Sequence, residues 1–397
     1  EFRRVLFRST VMAAVLWSVA TFVLVTLALD RQRGQYGMGF LAGITGCALA
    51  FHWVFRTIAD FSGLPDVVSV VLHALFLASA ALQFVLFVFF ARHLGAWAGR
   101  FALTTPIAWI AAETLMPRVF PWEPAHTQLA WLPLVQVAEL AGSPLVGFLL
   151  FWLAEAVMRG AATRRWLPLA LPALSLSLAL GWGTYRLGDI RAVKAPQQKV
   201  ALLQANMQIE QQGGVKRVGI DTQRYLDLTR QVNDPAALVV WPESALQAVV
   251  PADIGDRHRF ERFDALFPTH QPMLVGTMTI DHQRHRYNSA LALLADGRIP
   301  APYHKRILMP FGETMPFLKT FPWLASLNAS FVPIDAGERA VVFRYSDVLT
   351  ASPLICYEDL VPAMSREATL AGATLLVNLT NDVWFRSEEH TSELQSH

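Results

Sequence analysis

Long apolar segments fill the first 190 residues of the chain and constrain its fold more than any other feature. The segment at 67–91, VVSVVLHALFLASAALQFVLFVFFA, contains no aspartate, glutamate, lysine or arginine. A helix that crosses a bilayer needs about 20 consecutive apolar residues. Six segments meet or approach that length and predict an α-helical transmembrane domain at 11–190: residues 11–29, 38–58, 67–91, 101–116, 144–158 and 166–184.

The composition supports a membrane protein and argues against a nucleic-acid partner. Hydrophobic residues make up 53% of the chain and charged residues only 16%, whereas soluble domains are about 25% charged. The net charge of +2 is too small to indicate binding to nucleic acid. Of the two cysteines, Cys47 lies in an apolar segment and Cys356 in the later part of the chain, so we expect no disulfide between them.

Basic residues in the loops predict the orientation in the membrane. Cytoplasmic loops are enriched in lysine and arginine, and the segment RGAATRR at 159–165 contains three arginines. If that loop is cytoplasmic, the following helix leads outward and the region from residue 195 onward is extracytoplasmic. Glu113 and Glu155 lie near the ends of their segments, where we expect solvated carboxylates.

The two ends of the chain do not fit this pattern. Residues 1–10, EFRRVLFRST, would lie outside the membrane with three arginines, and residues 386–397, RSEEHTSELQSH, are abruptly polar. We interpret them as a non-native leader and a non-native tail and leave them out of the fold. The chain is then expected to lack an earlier helix.

The region at 195–385 has the pattern of an α/β layered domain. Helical spacing at 216–232 and 361–371 lies between short apolar runs that are typical of buried strands. Alternation of strands with helices and hairpins favours layers of sheet and helix. The predicted strands are residues 199–207, 237–244, 272–280, 288–295, 341–345, 351–358 and 373–382.

Two of these strands, and the segment YHKRILMPFGE at 303–313, carry side chains that packing alone does not require. Glu243 follows the apolar run VVWP, and Cys356 ends the run PLIC with Glu358 two positions later. Lys305 and Glu313 bracket the apolar loop that follows YHKR. Because side chains at strand ends converge at one edge of a sheet, where α/β proteins commonly bind ligands, we expect these groups to form one site.

Cysteine, glutamate and lysine together could form an acyl-transfer centre. A thiol with a pKa near 8.5 is a weak nucleophile until its proton is removed, and a partly desolvated carboxylate can act as the base. A lysine cation can stabilise the oxyanion of an acyl-transfer intermediate. The reaction would then proceed through a thioester. Each residue alone is also typical of packing or of an ordinary surface, so the residues by themselves leave a structural role open.

Four motifs carry a resemblance to a known superfamily. VVWPESA, YHKRILMPFGE, PLICYEDL and VNLTNDVWF occur in this order, and the set resembles the nitrilase (carbon–nitrogen hydrolase) superfamily, whose Glu–Lys–Cys triad lies on an αββα sandwich. With the preceding helices, residues 11–385 resemble bacterial apolipoprotein N-acyltransferases. That family has seven helices before the sandwich and one after it; six and none are counted here, so the resemblance implies truncation at both ends.

The resemblance also implies roles for individual residues. Glu243 is expected to be the general base, Lys305 the cation that stabilises the oxyanion, and Cys356 the nucleophile. The supporting residues around this triad are expected to be Glu313 as a further essential acid, Tyr357, Glu358, Asn288, and Trp241, which would shape the loop holding the base.

The implied reaction transfers an acyl chain between two membrane-anchored molecules. Cys356 would take the acyl chain from a phospholipid, phosphatidylethanolamine in particular, and pass it to the N-terminal amine of a diacylated apolipoprotein. Neither a cofactor nor a metal is expected. The resemblance implies a monomer that crosses the bacterial inner membrane several times, with its catalytic domain on the periplasmic side.

Two other functions remain open at this stage. A membrane-tethered nitrilase-type amidase would use the same triad with water as the acceptor. A non-catalytic membrane protein would keep the three residues only for packing. The multi-helix region favours lipid substrates and so argues against the amidase. The joint occurrence of the three residues at strand ends argues against the non-catalytic protein.

Overall fold

The structure is a computed structural model that describes residues 34–61, 64–94, 96–120, 122–193, 197–205, 209–212, 215–218, 222–232, 236–256, 271–310, 312–314 and 334–381. It divides into two compact units. One contains the described residues up to His52 together with Val70–Ala195, and the other contains Trp53–Ser69 and the described residues from Pro196 onward. The predicted helix at 11–29, the leader at 1–10 and the tail at 386–397 lie outside the described residues.

Helices make up the described chain up to residue 193. Three of them are long and apolar enough to cross a membrane: Asp66–His93, Ser143–Thr163 and Leu167–Ala192. They occur where apolar segments were predicted at 67–91, 144–158 and 166–184. The helices are α1 Gln35–Ala50, α2 His52–Phe61, α3 Asp66–His93, α4 Ala96–Arg100, α5 Thr104–Leu115, α6 Leu132–Val135, α7 Ala138–Ala141, α8 Ser143–Thr163 and α9 Ala170–Ala192.

The apolar segment at 38–58 forms two helices instead of one. The chain leaves the helical conformation at Phe51, where φ is −119° and ψ is 24°, and α2 begins at the next residue. The Phe51 side chain is buried, and its ring packs against Phe76 and Phe120 with centroids 5.5 and 5.9 Å away. Burial of this ring accompanies the break, which the apolar pattern alone does not indicate.

The segment at 101–116 contains a helix too short to cross the membrane. Helix α5 has 12 residues, about 18 Å at 1.5 Å per residue, whereas the hydrocarbon core is about 30 Å thick. Pro106 requires the helix to begin nearby, because proline is tolerated only in the first turn. The Glu155 carboxylate accepts a hydrogen bond from the Thr105 backbone N–H at 2.6 Å and so satisfies one of the free donors of that turn.

Glu113 and Glu155 are buried, so the expectation of solvated carboxylates was wrong. Glu155 is fully buried, and its second oxygen accepts from Arg159 Nε at 2.7 Å. Glu113 lies 3.4 Å from Arg118 Nη1. A buried carboxylate needs a cation and hydrogen-bond donors to offset the loss of water, and both acids have an arginine partner close in the chain.

Two sheets form the centre of the second unit. The five-stranded sheet has the order β1-β4-β5-β6-β7, with β1, β4 and β5 parallel and β6 and β7 antiparallel to their neighbours. The three-stranded sheet has the order β10-β9-β8, and β2 pairs with β3. The strands are β1 Val200–Leu202, β2 Ile209–Gln212, β3 Val215–Val218, β4 Leu238–Pro251, β5 Met273–Ile280, β6 Arg286–Leu293, β7 Tyr303–His304, β8 Phe343–Arg344, β9 Thr350–Ile355 and β10 Leu375–Leu379.

The alternating side chains of the five-stranded sheet enter two hydrophobic cores. On one face Val239 and Val275 pack with Tyr225 of helix α10, Thr222–Arg230. On the other face a second cluster joins the two sheets; its buried members include Leu238, Val240, Leu274, Ala351 and Ile355. Helix α11, Pro362–Leu370, lies against β9. The order helix–sheet–sheet–helix confirms the predicted sandwich.

Strand β4 contains a wide irregularity where sequence analysis expected a strand end. Trp241 pairs with Val275 and Leu246 with Thr277, so β4 advances five residues while β5 advances two. The extra residues bulge out of the ladder, and Ser244 adopts a positive φ of 54°. Glu243 therefore lies in a β-bulge inside a 14-residue strand, and bulges of this kind are common beside active sites because they re-aim side chains.

Gly276 of β5 makes room for this bulge, and its replacement by alanine should destabilise the domain. A Cβ atom at position 276 would lie 2.2 Å from Pro242 O and 2.7 Å from Glu243 Cα. Because neither backbone atom can move freely, we expect Gly276→Ala to lower the free energy of unfolding by about 1–3 kcal/mol. Thermal melting of the purified protein in detergent measures the effect.

Gly312→Ala is the matched control for this prediction. A Cβ atom at Gly312 would meet nothing closer than 3.8 Å, so the melting temperature should stay at the wild-type value. Equal melting temperatures for the two variants would show that the bulge does not depend on the missing Cβ at Gly276.

Candidate active site

Three strands of the five-stranded sheet, β4, β6 and β7, bring the predicted polar residues together. Glu243 comes from the bulge in β4, Asn288 from β6, and Lys305 directly follows β7. The neighbours Ala290 and Tyr303 belong to the core between the two sheets, and alternation along β6 and β7 points Asn288 and Lys305 to the same side. The site therefore lies on the face of the sheet that is covered by β8, β9 and β10.

An ammonium group between two carboxylates forms the centre of the site. Lys305 is 1% exposed, and its Nζ donates to Glu313 Oε2 at 2.8 Å and to Glu243 Oε1 at 3.4 Å. A buried charge is stable only when it is paired and hydrogen-bonded. Here the Lys305 ammonium is paired with both carboxylates. The structure thus brings together three residues that lie up to 70 positions apart in the chain.

Asn288 links the same two carboxylates through its amide. Its Nδ2 donates to Glu243 Oε1 at 2.7 Å and to Glu313 Oε1 at 2.9 Å, while its backbone carbonyl accepts from the Lys305 N–H at 2.8 Å. The other carboxylate oxygen of Glu243 accepts from the backbone N–H of Asn381 at 3.2 Å. These bonds hold the Glu243 side chain in one orientation and leave it without free rotation.

Cys356 lies at the end of β9 in an unusual backbone conformation. Its φ is 53°, in the left-handed region that a side chain seldom occupies without a local reason. It is also the first residue of a short 3₁₀ helix, Cys356–Leu360. The thiol is half-buried beside the core between the sheets, and the Thr380 side chain forms a hydrogen bond with it.

The electrostatics of the site favour a protonated thiol next to a basic carboxylate. Burial, and then the negative charge of Glu243, raise the pKa of the Cys356 thiol to about 11, while Lys305 opposes the shift. Burial also raises the pKa of the Glu243 carboxyl, and again Lys305 opposes the change. The charges of both Glu243 and Lys305 affect the pKa of the Cys356 thiol, so the thiol lies in the same local environment as these two side chains. A carboxyl with a raised pKa is suited to receive a proton.

The ammonium of Lys305 keeps its proton in this environment. Burial alone lowers the pKa of Lys305, but the negative charges of Glu243 and Glu313 outweigh burial and the net direction is upward. A permanent cation is therefore available at neutral pH. Such a cation can stabilise negative charge that develops on a substrate oxygen, provided that it is in place before the reaction.

Glu358 connects the loop of the cysteine with the loop of the lysine. It is fully buried, and one oxygen accepts from the backbone N–H groups of Arg306 and Ile307 at 2.6 and 3.1 Å. The other oxygen accepts from the Tyr303 hydroxyl at 2.7 Å and from the Ile355 N–H at 2.8 Å. Burial raises the pKa of Tyr303, so the phenol remains a donor. The residue predicted to support the site therefore holds two strand ends at a fixed separation.

The remaining predicted residues differ in their position. Tyr357 follows the cysteine, and its backbone hydrogen-bonds to the thiol. Trp241 belongs to the other core, where its indole donates to Thr229 Oγ1 at 3.0 Å and its ring lies 5.3 Å from Tyr225. Trp241 thus supports the strand that carries Glu243 by packing on the helix-facing side.

Sequence reasoning missed several contacts of the site. Asn378 donates to the Cys356 carbonyl at 3.2 Å and to Asp359 Oδ2 at 2.7 Å. The motif VNLTNDVWF, used only for the resemblance, contains Asn378 and Asn381. Tyr303 precedes the lysine by two residues and had no assigned role. In each case a polar residue beside a strand end was the only available signal.

Comparison with known proteins places the two parts of the chain in one class. Residues 199–396 match a family model described as carbon–nitrogen hydrolase, and residues 6–156 match a model described as the apolipoprotein N-acyltransferase N-terminal domain. Among solved structures, an amidase from Nesterenkonia sp. is similar, with 20% identity, a TM-score of 0.31, and coverage of 47% of this chain and 66% of that chain. The two family models, together with the apolar helices, define a membrane-associated member of the carbon–nitrogen hydrolase class.

Curated relatives identify the particular family. An apolipoprotein N-acyltransferase from Methylococcus capsulatus is 30% identical over 370 residues, which cover 87% of this chain and 69% of the relative. Another from Geobacter metallireducens is 27% identical over 398 residues, with coverage of 96% and 75%. The chain belongs to the apolipoprotein N-acyltransferase family, which confirms the predicted resemblance and makes it an acyltransferase.

Proposed function

We propose that this chain transfers an acyl chain from a phospholipid, through a thioester on Cys356, to the N-terminal amine of a diacylglyceryl-cysteine lipoprotein. Membership of the family supports the overall activity. The observation that carries the mechanism is the buried Lys305 ammonium between Glu243 and Glu313, and a raised pKa of the Cys356 thiol is consistent with a thiol that needs a base. Phosphatidylethanolamine is the proposed donor, and the proposed active form is a monomer.

The proposed organisation follows from the apolar helices and the basic loops. Residues 11–190 form the transmembrane domain, which includes the three described helices that are long enough to cross a membrane, and residues 195–385 form the catalytic domain. The three arginines at 159–165 lie on the cytoplasmic side of the bacterial inner membrane. The catalytic domain then faces the periplasm, and the chain crosses the membrane several times.

The first step forms the thioester. Glu243 removes the proton from the Cys356 thiol as the sulfur attacks the carbonyl carbon of the sn-1 ester of the phospholipid. The negative charge that develops on the carbonyl oxygen is stabilised by the Lys305 ammonium. When the intermediate collapses, the C–O bond of the ester breaks and the leaving oxygen takes the proton from Glu243. The products are a lysophospholipid and an acyl thioester on Cys356.

The second step transfers the acyl chain to nitrogen. The neutral α-amine of the lipoprotein attacks the thioester carbonyl and gives a proton to Glu243, while Lys305 again stabilises the oxyanion. The C–S bond then breaks, and the sulfur recovers a proton from Glu243. The amide is formed, and the thiol and the carboxylate return to their initial states, so no cofactor is consumed.

The two carboxylates have different tasks in this mechanism. Glu243 exchanges the proton, because burial raises its pKa. Glu313 contacts Lys305 with both oxygens, at 2.9 and 2.8 Å, and compensates the lysine charge while Glu243 is protonated. Without the second acid, protonation of Glu243 would leave a buried cation without a partner.

A membrane setting suits both substrates. Removing a lipid chain from a bilayer costs about 0.8 kcal/mol for each CH₂ group, so an enzyme that works at the membrane surface avoids a large barrier. Both the phospholipid and the diacylated lipoprotein are held in the membrane by their acyl chains. The apolar helices of this protein would keep the catalytic domain at the same surface.

Incubation with a phospholipid labelled in its sn-1 chain and a diacylglyceryl lipopeptide tests the proposal. The labelled chain should be found on Cys356 by mass spectrometry when the peptide is omitted, and on the amine of the peptide when it is added. Release of free fatty acid without acylated peptide would instead support the membrane-tethered amidase. An unlabelled Cys356 in both reactions would support a non-catalytic protein.

A further inference from the structure

A cleft in the helical unit has no role in the proposed reaction. Its walls are formed by Phe51, by one face of helix α3, and by the loop that follows helix α5. The face of α3 contributes Phe76 and Gln83, which are seven positions apart and so lie on the same side of the helix. The loop contributes Arg118, Phe120 and Trp122.

Gln83 provides an unused hydrogen-bond donor at this cleft. The side chain is 1% exposed, and its Nε2 atom has no hydrogen-bond partner within the described part of the chain. A buried polar group without a partner destabilises a folded protein. An acceptor oxygen supplied by a ligand would remove this cost.

The other walls define the remaining chemistry of the ligand. The rings of Phe51, Phe76 and Phe120 contact one another, with centroids 5.5 to 5.9 Å apart, and offer an apolar surface. The positive charge of Arg118 is balanced by Glu113 at 3.4 Å, so the cleft does not require a net anionic group next to the amide. A neutral acceptor oxygen attached to a hydrocarbon chain fits both features.

We propose that this cleft binds one ester-linked acyl chain of a membrane phospholipid. The ester carbonyl accepts a hydrogen bond from Gln83 Nε2, and the first part of the chain lies against the phenylalanine rings. An ester at the start of an acyl chain is the neutral acceptor that bilayer phospholipids supply. This site is distinct from the acyl donor site at Cys356, and its occupation does not depend on the chemistry of the triad.

Binding of a diester phospholipid and of its diether analogue tests the proposal, because the ether has no carbonyl oxygen. The full chain with Cys356→Ala is used in detergent, so that no acyl transfer takes place, and retained lipid is measured by native mass spectrometry. The diester should bind about fivefold more tightly than the diether, as expected for one hydrogen bond. Gln83→Met should remove this preference while leaving binding of the diether unchanged.

Gln136→Met is the matched control, because Gln136 donates to the Leu132 carbonyl and does not line the cleft. It should keep the fivefold preference. Without lipid, the Gln83→Met protein should have a melting temperature no lower than that of the parent protein, because the substitution removes an unpaired donor. If Gln83 had a purely structural role, the substitution would lower the melting temperature. A phospholipid with a diazirine near the ester should label the peptides that contain Phe76 and Phe120.

Three results would overturn the proposal. Equal affinity of the parent protein for diester and diether would exclude the hydrogen bond to the ester. Retention of the preference in Gln83→Met would place that bond elsewhere. A diacylglyceryl lipopeptide that displaces the phospholipid from the labelled peptides at equal concentration would assign the cleft to the lipopeptide.

Discussion

Replacing Cys356 with alanine should abolish acyl transfer while leaving the fold intact. Without the sulfur no thioester can form, and loss of a nucleophile commonly lowers turnover by at least about a thousandfold. The side chain is half-buried and small, so its truncation to alanine should change the melting temperature little. Transfer of a labelled acyl chain to a diacylglyceryl lipopeptide measures the activity, and mass spectrometry measures the acyl adduct.

The chain contains its own control for this experiment. Cys47, the other of the two cysteines, is buried in helix α1, and Cys47→Ala should retain both the adduct and the transfer activity. If the Cys356→Ala protein still transferred the label, or if the adduct appeared on Cys47, the assignment of the nucleophile would be wrong.

Replacing Lys305 with methionine should destabilise the catalytic domain more than any other single change at the site. Methionine has a similar length but no charge, and it would leave Glu243 and Glu313 close together without the cation between them. Removal of one partner from a buried ion pair costs about 3–5 kcal/mol. We therefore expect a large decrease in the melting temperature, together with loss of activity.

The control for this variant separates the buried charge from lysine in general. Lys199→Met, at an exposed position, should change the free energy of unfolding by less than about 0.5 kcal/mol. Adding Glu243→Gln and Glu313→Gln to Lys305→Met removes the repulsion and should restore part of the stability but no activity. If this triple variant were no more stable than Lys305→Met alone, repulsion between the carboxylates would not explain the loss.

Sequence patterns predicted the residues of the site better than the strand pairing and hydrogen bonds that hold them in place. Glu243, Lys305 and Cys356 stood out because each is polar and lies next to an apolar strand, and strand ends meet at one edge of a sheet. The bulge that carries Glu243 was not predicted, since it depends on the pairing of Trp241 with Val275 and of Leu246 with Thr277. Pairing between strands is a property of the folded sheet, and local composition does not encode it.

The hydrogen bonds of Glu358 show the same limit more clearly. Its partners at Tyr303, Arg306 and Ile307 lie more than 50 positions earlier in the chain. All four of its hydrogen bonds come from backbone N–H or hydroxyl groups that have no distinctive sequence. In the helical region, the break at Phe51 and the burial of Glu155 were missed for a related reason, because both depend on side chains from other helices.

The positive φ of Cys356 bears on why a cysteine occupies this position at all. Glycine adopts such a conformation freely, while any residue with a Cβ atom raises the energy of the native state there by about 1–3 kcal/mol. Stability by itself would therefore favour glycine, and Cys356→Gly should yield a protein that is easier to handle though inert. Under the proposed mechanism, the residue that supplies the nucleophile therefore costs the native state stability that glycine would not.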